Sequence, residues 1–234
     1  MASLLSTKDN LDVLYEDNHI IAINKRVGDI VQGDKTGDKP LGEIVDEYLR
    51  EKYNKPGNAF VGIVHRLDRP TTGLVIFAKT SKAMERLNAM FKEREMQKTY
   101  WAIVKNKPEQ EHATLVHYIT RNNKKNVCKA HIKEVPNSRY ASLTYTVIGK
   151  LDNYYVLEVD LHTGRHHQIR AQLAAIGCPI KGDLKYGFTR SNPDGGISLH
   201  ARRLSFIHPV KKEEIVIVAP TPDDAVWSSF VNTL

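Results

Sequence analysis

The sequence predicts an α+β domain built on a mainly antiparallel mixed sheet, with helices and loops flanking it, and three observations point there. Strand-like apolar runs outnumber helical ones across the 234 residues. They seldom alternate one for one with helices, as a doubly wound parallel sheet would require. No internal repeat, low-complexity tract or long linker interrupts them. The expectation is therefore one domain, residues 11–234, behind an N-terminal tail of residues 1–10.

Taken in order, LDVLYEDNHIIAINK reads as two short strands around the turn Glu16-Asp17-Asn18. Leu41, Ile44, Val45, Tyr48 and Leu49 share one helical face, with Pro40 placed to start the helix and Asn54 to Asn58 to end it. FVGIV and LVIFA are buried-strand runs on either side of the turn His65 to Thr72. Thr80-Ser81 caps a helix that turns Met84, Leu87 and Phe91 inward. KTYWAIV, ATLVHYI, SLTYTVI and YYVLEVDL follow as strands, with Asn122 to Asn126 a polar loop between the second and third. After the turn His162-Thr163-Gly164, a helix is expected from about Arg165 to Ile176, stopped by Gly177 and Pro179. LHARRLSFIHP and EEIVIVAP close the strands, and DDAVWSSFVNTL is a terminal helix.

Composition narrows the class. Hydrophobic residues make up 41% and charged residues 26%, enough apolar surface for a packed core and unlike a disordered chain. No apolar run reaches the length of about eighteen residues that a membrane helix needs. MASLLSTKDNLD lacks the basic and apolar regions of a signal peptide, so a cytoplasmic location is the default. Cys128 and Cys178 stand too far apart for a disulfide framework or a zinc knuckle, and read as buried thiols. The net charge of +7 favours polyanions as partners, nucleic acid first among them.

Three stretches could carry chemistry. In VHRLDRPTTG, Asp68 sits on a tight connection between two apolar runs, and loops anchored at both ends hold catalytic groups rigidly. Taken alone, the turn fits an exposed ion pair with Arg66 or Arg69 at least as well, and such pairs contribute little. In LHTGRHHQIRAQL, Arg170 lies inside the helix, where it could pair with a buried carboxylate and keep it ionised against desolvation. His162, His166 and His167 tempt a metal reading. The Thr163-Gly164 break and the lack of an acidic ligand nearby argue against it, so no metal is expected. In EREMQKTYWAIV, Lys98 and Tyr100 share a strand face. Such a pair suits a stacked nucleobase with its phosphate held nearby. Composition does not separate that from an ordinary sheet tyrosine.

Together the three stretches resemble the pseudouridine synthases of the RluA-type branch. HRLDRPTTG is similar to that family's HRLD signature, KTY to its K-x-Y element and TGRHHQIR to its TGR-x-HQIR element, in the same order. The likeness runs from about Tyr15 to Pro222 and takes in GCPIKGDLKYG and ISLHARRLSF. It implies the family's catalytic domain with a central basic cleft, and a uridine-to-pseudouridine isomerase that flips its target base and needs no cofactor. Residue by residue, it implies Asp68 as catalytic carboxylate, Arg170 as its basic partner and Tyr100 as the ring against the target base. Arg66 would lie against the space left by the flipped nucleotide, and Arg69, Lys98, Arg165, His167 and Gln168 would contact RNA. Ribosomal RNA stands ahead of transfer RNA as substrate, with a monomer as the default and no obligate protein partner.

Two departures mark this chain. Arg26-Val27 stands where relatives usually have Pro and a small residue, and Gln172 where many have histidine. Two rivals stay in view: an RNA-binding module with a degenerate site, and a glycosidase-like hydrolase using Asp68. The second would need a paired carboxylate, which the matched motifs do not supply.

Overall fold

A computed structural model describes residues 5–34 and 36–233. Residues 1–4 of the expected tail, and Leu234 at the end of the expected terminal helix, lie outside them. The chain divides into two compact units, Met1–Gln97 with Ala201–Pro220 and Lys98–His200 with Thr221–Leu234. The fold is α+β with mostly antiparallel strand pairing. Among the described residues no helix is long and apolar enough to cross a membrane.

In the first unit, β1 (Val13–Glu16) pairs with β2 (Ile20–Lys25), and β2 with β4 (Thr72–Ala78). The two-residue β3 (Gly62–Ile63) adds to β4. Every residue of β4 is buried, which is why LVIFA reads as one unbroken apolar run and not as an alternation. Helix α1 (Leu41–Lys52) starts after Pro40 and buries Leu41, Ile44, Val45 and Leu49. They pack on Ile21 and Ile23 of β2 and on Val75 and Phe77 of β4. Thr80 caps α2 (Ser81–Glu93) by accepting from the Ala83 amide, as a threonine N-cap does. Ser6 is buried and donates from its amide and hydroxyl to Asp29, at 2.9 and 2.7 Å. The described part of the tail is thereby tied into this unit.

The second unit is a five-stranded sheet in the order β5 (Gln97–Val104), β9 (Tyr155–Leu161), β8 (Arg139–Lys150), β6 (His112–Asn122), β7 (Val127–His131). Its first strand begins one residue before the unit does. Strand β7 is not among the expected strands, because its five residues, VCKAH, show too little alternation to declare one. Helix α3 (Gln168–Ala175) follows β9, β10 (Leu199–Ile207) runs from the second unit into the first, and β11 (Glu214–Val218) pairs back on it. Helix α4 (Ala225–Val231) is capped by Asp224, and its Trp227 and Phe230 join Trp101, Ile103 and Val156 in a core. Both cysteines are buried and neither is in a disulfide.

Candidate active site

Asp68 lies on the connection from β3 to β4, half-buried, and the turn closes with the Thr71 amide donating to the Asp68 carbonyl at 3.0 Å. What holds this turn was not legible in the motif. Lys25, at the end of β2 and 1% exposed, sends its ammonium into three main-chain carbonyls. These are Thr71 at 2.8 Å, Arg26 at 2.9 Å and Arg69 at 3.0 Å. The Gly28 amide donates to the same Arg69 carbonyl at 3.1 Å. Three acceptors match the three protons of an ammonium. Burial pulls Lys25 down to about 7, against the opposing pull of the Asp29 and Asp68 carboxylates.

Downstream the turn is pinned by sterics. Gly73 has φ +105°, and a Cβ there would lie 2.4 Å from the Ala201 carbonyl oxygen. No side chain fits that approach. Upstream, His65 Nε2 accepts from the Ile76 amide at 2.9 Å while its ring stacks on Phe91, and Leu67 packs on the α1 core. Asp68 is therefore flanked by residues that each have a structural task. The neighbouring arginines point elsewhere. Exposed Arg69 pairs with Asp38 and donates to Thr36 at 3.2 Å, and Arg66 donates to Gln32 at 3.0 Å. The Arg69 guanidinium also holds the Asp38 carboxyl below its ordinary range. Arg69, expected on RNA, stays at the surface with these partners.

In the second unit the expected helix start shifts from Arg165 to Gln168. His167 takes a left-handed backbone, φ 51°, and the Gln168 side chain replaces the missing turn. Its oxygen accepts from the Arg165 amide at 2.9 Å and the Thr163 hydroxyl at 2.8 Å, and its nitrogen donates to the Ser142 carbonyl at 3.0 Å. Gln168 is 3% exposed, so this amide shapes the TGRHHQ turn where an RNA contact was expected. His167 is also buried, stacks on His166 and shares a 2.8 Å hydrogen bond with the Tyr186 hydroxyl. Arg165 donates to the Tyr140 carbonyl at 2.9 Å. Lys98 reaches to within 3.6 Å of where a Cβ on Gly164 would stand, beside the TGR turn.

Arg170, buried at 4% exposure, makes a two-point pair with Asp183, Nε to Oδ2 at 2.7 Å and Nη2 to Oδ1 at 2.8 Å. Its guanidinium carbon sits 5.0 Å from the centre of the Tyr186 ring. Burial pushes the Tyr186 phenol up, so it stays protonated. Its hydroxyl accepts from the Cys128 amide at 2.8 Å. Asp183 and Tyr186 lie in the GCPIKGDLKYG stretch, which carried no assigned role. A buried carboxylate needs a cation, and that rule applied to GDLKY was the available signal. Tyr100 is 9% exposed and pairs across the sheet with Val159. Gln172, the second departure, is fully buried and donates to the Leu115 carbonyl at 3.1 Å, with His117 Nδ1 also 3.1 Å away.

Residues 19–175 match the model of a family described as RNA pseudouridylate synthase. An uncharacterized RNA pseudouridine synthase of Synechocystis is 35% identical over 91% of this chain and 66% of its own length. The tRNA pseudouridine synthase C of Vibrio cholerae is 30% identical over 95% of both chains. The ribosomal large subunit pseudouridine synthase D of Xylella fastidiosa is 32% identical over 92% of this chain and 67% of its own. Among solved structures, human RNA pseudouridylate synthase domain containing 4 superposes with a TM-score of 0.76 at 22% identity, covering 93% of this chain and 91% of that one. The last likeness speaks for the fold alone. The family match spans both the Lys25-held turn and Arg170, and with it the chain belongs to the RNA pseudouridylate synthases, a family of RNA isomerases.

Proposed function

We propose that this chain converts uridine to pseudouridine in structured RNA, in the cytoplasm, with Asp68 as the catalytic carboxylate. The observation that carries the reading is the Lys25 cradle. A buried ammonium spent on three carbonyls of one short stretch is a costly way to build an ordinary surface turn. It fixes the main chain at the residue that must meet the substrate with accuracy. The reaction breaks the bond from ribose to the uracil ring nitrogen, turns the ring and rejoins it through carbon, so atoms are conserved and no cofactor is called for. An ionised carboxylate serves such chemistry at a sugar or a ring carbon.

In this reading Arg170 supplies the positive charge that favours the ionised carboxylate, and Tyr100 supplies a ring for the extruded base. Extrusion costs a few kcal/mol, offset by phosphate contacts and stacking. The relatives named for ribosomal and for transfer RNA stand at similar identity, so the test screens both substrates. Unmodified transcripts of large-subunit ribosomal RNA and of transfer RNA are treated with the protein and pseudouridine is mapped. The intact chain should modify discrete uridines, and Asp68→Asn should modify none. Product formation by Asp68→Asn at the normal rate would sink the assignment of Asp68. Release of free uracil would point to hydrolysis instead.

A further inference from the structure

The charge of this chain is concentrated in one place. Between Tyr118 and Tyr140 stand Arg121, Lys124, Lys125, Lys129, Lys133 and Arg139 against Glu134 alone, which is five of the seven net positive charges in 23 residues. The other nine-tenths of the chain is nearly neutral. All six basic residues are exposed, and among the described residues none of them enters an ion pair. They line the hairpin of β6 and β7 and its return to β8. Like charges so close repel one another, and folding gains nothing from gathering them.

The hairpin is also tied to the Arg170 segment within the same unit. His166 Nε2 lies 3.0 Å from the Asn126 Oδ1 at the hairpin tip, and the Cys128 amide donates to the Tyr186 hydroxyl beneath Arg170. A second property points the same way. Tyr118 and Tyr140 are cross-strand partners with rings edge to face at 6.1 Å, Tyr140 is 44% exposed, and His131 pairs with Tyr118 from the other side. An exposed ring beside unpaired lysines matches single-stranded nucleic acid, which presents base faces and phosphates together.

We propose that the β6–β7 hairpin is an RNA-holding arm that grips the phosphate backbone flanking the target nucleotide, through Lys124, Lys125 and Lys129, and stacks unpaired bases on Tyr140. The inference rests on the RNA-modifying function proposed above and adds where the RNA lies. Such an arm contributes affinity that is blind to sequence and leaves the chemical step untouched.

The test measures binding of labelled bulk transfer RNA and of a uridine oligonucleotide across a salt series, using the full chain. Replacing Lys124, Lys125 and Lys129 together by Gln should weaken binding by about tenfold at moderate salt. It should also make the log–log salt dependence shallower by about 2 to 3, one phosphate contact per lysine. In turnover, KM should rise and kcat should hold. A control removing equal charge elsewhere, Lys55, Lys82 and Lys105 to Gln, all exposed, should leave the slope unchanged. Unchanged affinity and slope in the arm variant, or an equal loss in the control, would overturn the proposal. Binding is read without turnover, so a failure to form pseudouridine would count against the function and not against the arm.

Discussion

The Asp68 turn and the Arg170 helix start are both held rigidly, but by opposite means. At the turn, support comes through the main chain: Lys25 binds carbonyls of Arg26, Arg69 and Thr71, Gly28 binds Arg69 again, and Gly73 permits a contact no side chain could make. At the helix, support comes through the side chain itself. Asp183 takes two nitrogens of the guanidinium, and the Tyr186 ring lies against it. The difference follows from side-chain length. Asp68 has one carbon between backbone and carboxylate, so fixing the backbone fixes the acid. Arg170 has a long flexible stem, and only contacts at its far end remove that freedom.

That comparison is broken most severely at Asp183. Asp183→Asn takes from Arg170 the carboxylate that holds two of its nitrogens, and loss of one partner from a buried pair costs about 3–5 kcal/mol. Both tryptophans of the chain, Trp101 and Trp227, lie in the second unit, so fluorescence during denaturant unfolding reports that unit selectively. The expected result is a large fall in its midpoint. Replacing both partners, Arg170→Met with Asp183→Leu, should recover much of that stability while leaving the protein inactive. If the single and double variants unfold alike, the pair is not what orders the helix start.

The next largest effect is expected at Lys25. Lys25→Met keeps the volume but leaves the carbonyls of Arg26 and Thr71 without their donor, at about 1–3 kcal/mol each. Since the strain falls on the turn, kcat should drop by roughly tenfold to a hundredfold while the fold persists. The pH dependence carries a sign. Lys25 is held near 7 when folded, against an ordinary 10.5, so between those values the unfolded chain binds the extra proton. Its contribution to stability therefore rises as pH climbs from about 7 to 10.5. Turnover should move the other way, because the neutral amine has two protons for three carbonyls. Activity falling through pH 7 in the intact chain, with that inflection missing in Lys25→Met, is the expected pair of profiles. Identical profiles would show that the cradle does not govern the turn.

These two supports also show what the sequence could and could not disclose. Asp68, Tyr100 and Arg170 are legible because motifs are contiguous, and the strands are legible because their apolar runs are strong. Lys25 and Asp183 are not. The first reads as a charge ending a strand, the second as one acid in GDLKY, and each acquires its task only from partners brought close by folding. Lys25 lies 46 residues from Thr71, and Asp183 lies 13 from Arg170. The same limit hid the true start of α3, where Gln168 spends its amide locally, and the short edge strand β7, whose pattern is too brief to read. Motif reading finds the groups proposed to act more readily than the groups that hold them.

The smallest effect is expected at Tyr100, and it discriminates between two chemistries. A ring that stacks on the extruded base needs its face and not its hydroxyl, so Tyr100→Phe should keep activity within about tenfold. Tyr100→Ala should lose the stacking, worth about 1–3 kcal/mol per base, and create a void besides, since the side chain is 9% exposed beside Val159. Measuring KM and kcat separately sharpens the outcome. Stacking in the bound state alone raises KM, whereas an effect confined to kcat places the ring against the transition state. Complete loss in Tyr100→Phe, with binding intact, would move the phenol into proton transfer. In that case Tyr100 would belong with the groups that act, and the hydroxyl, not the ring face, would be the part that the fold has to position.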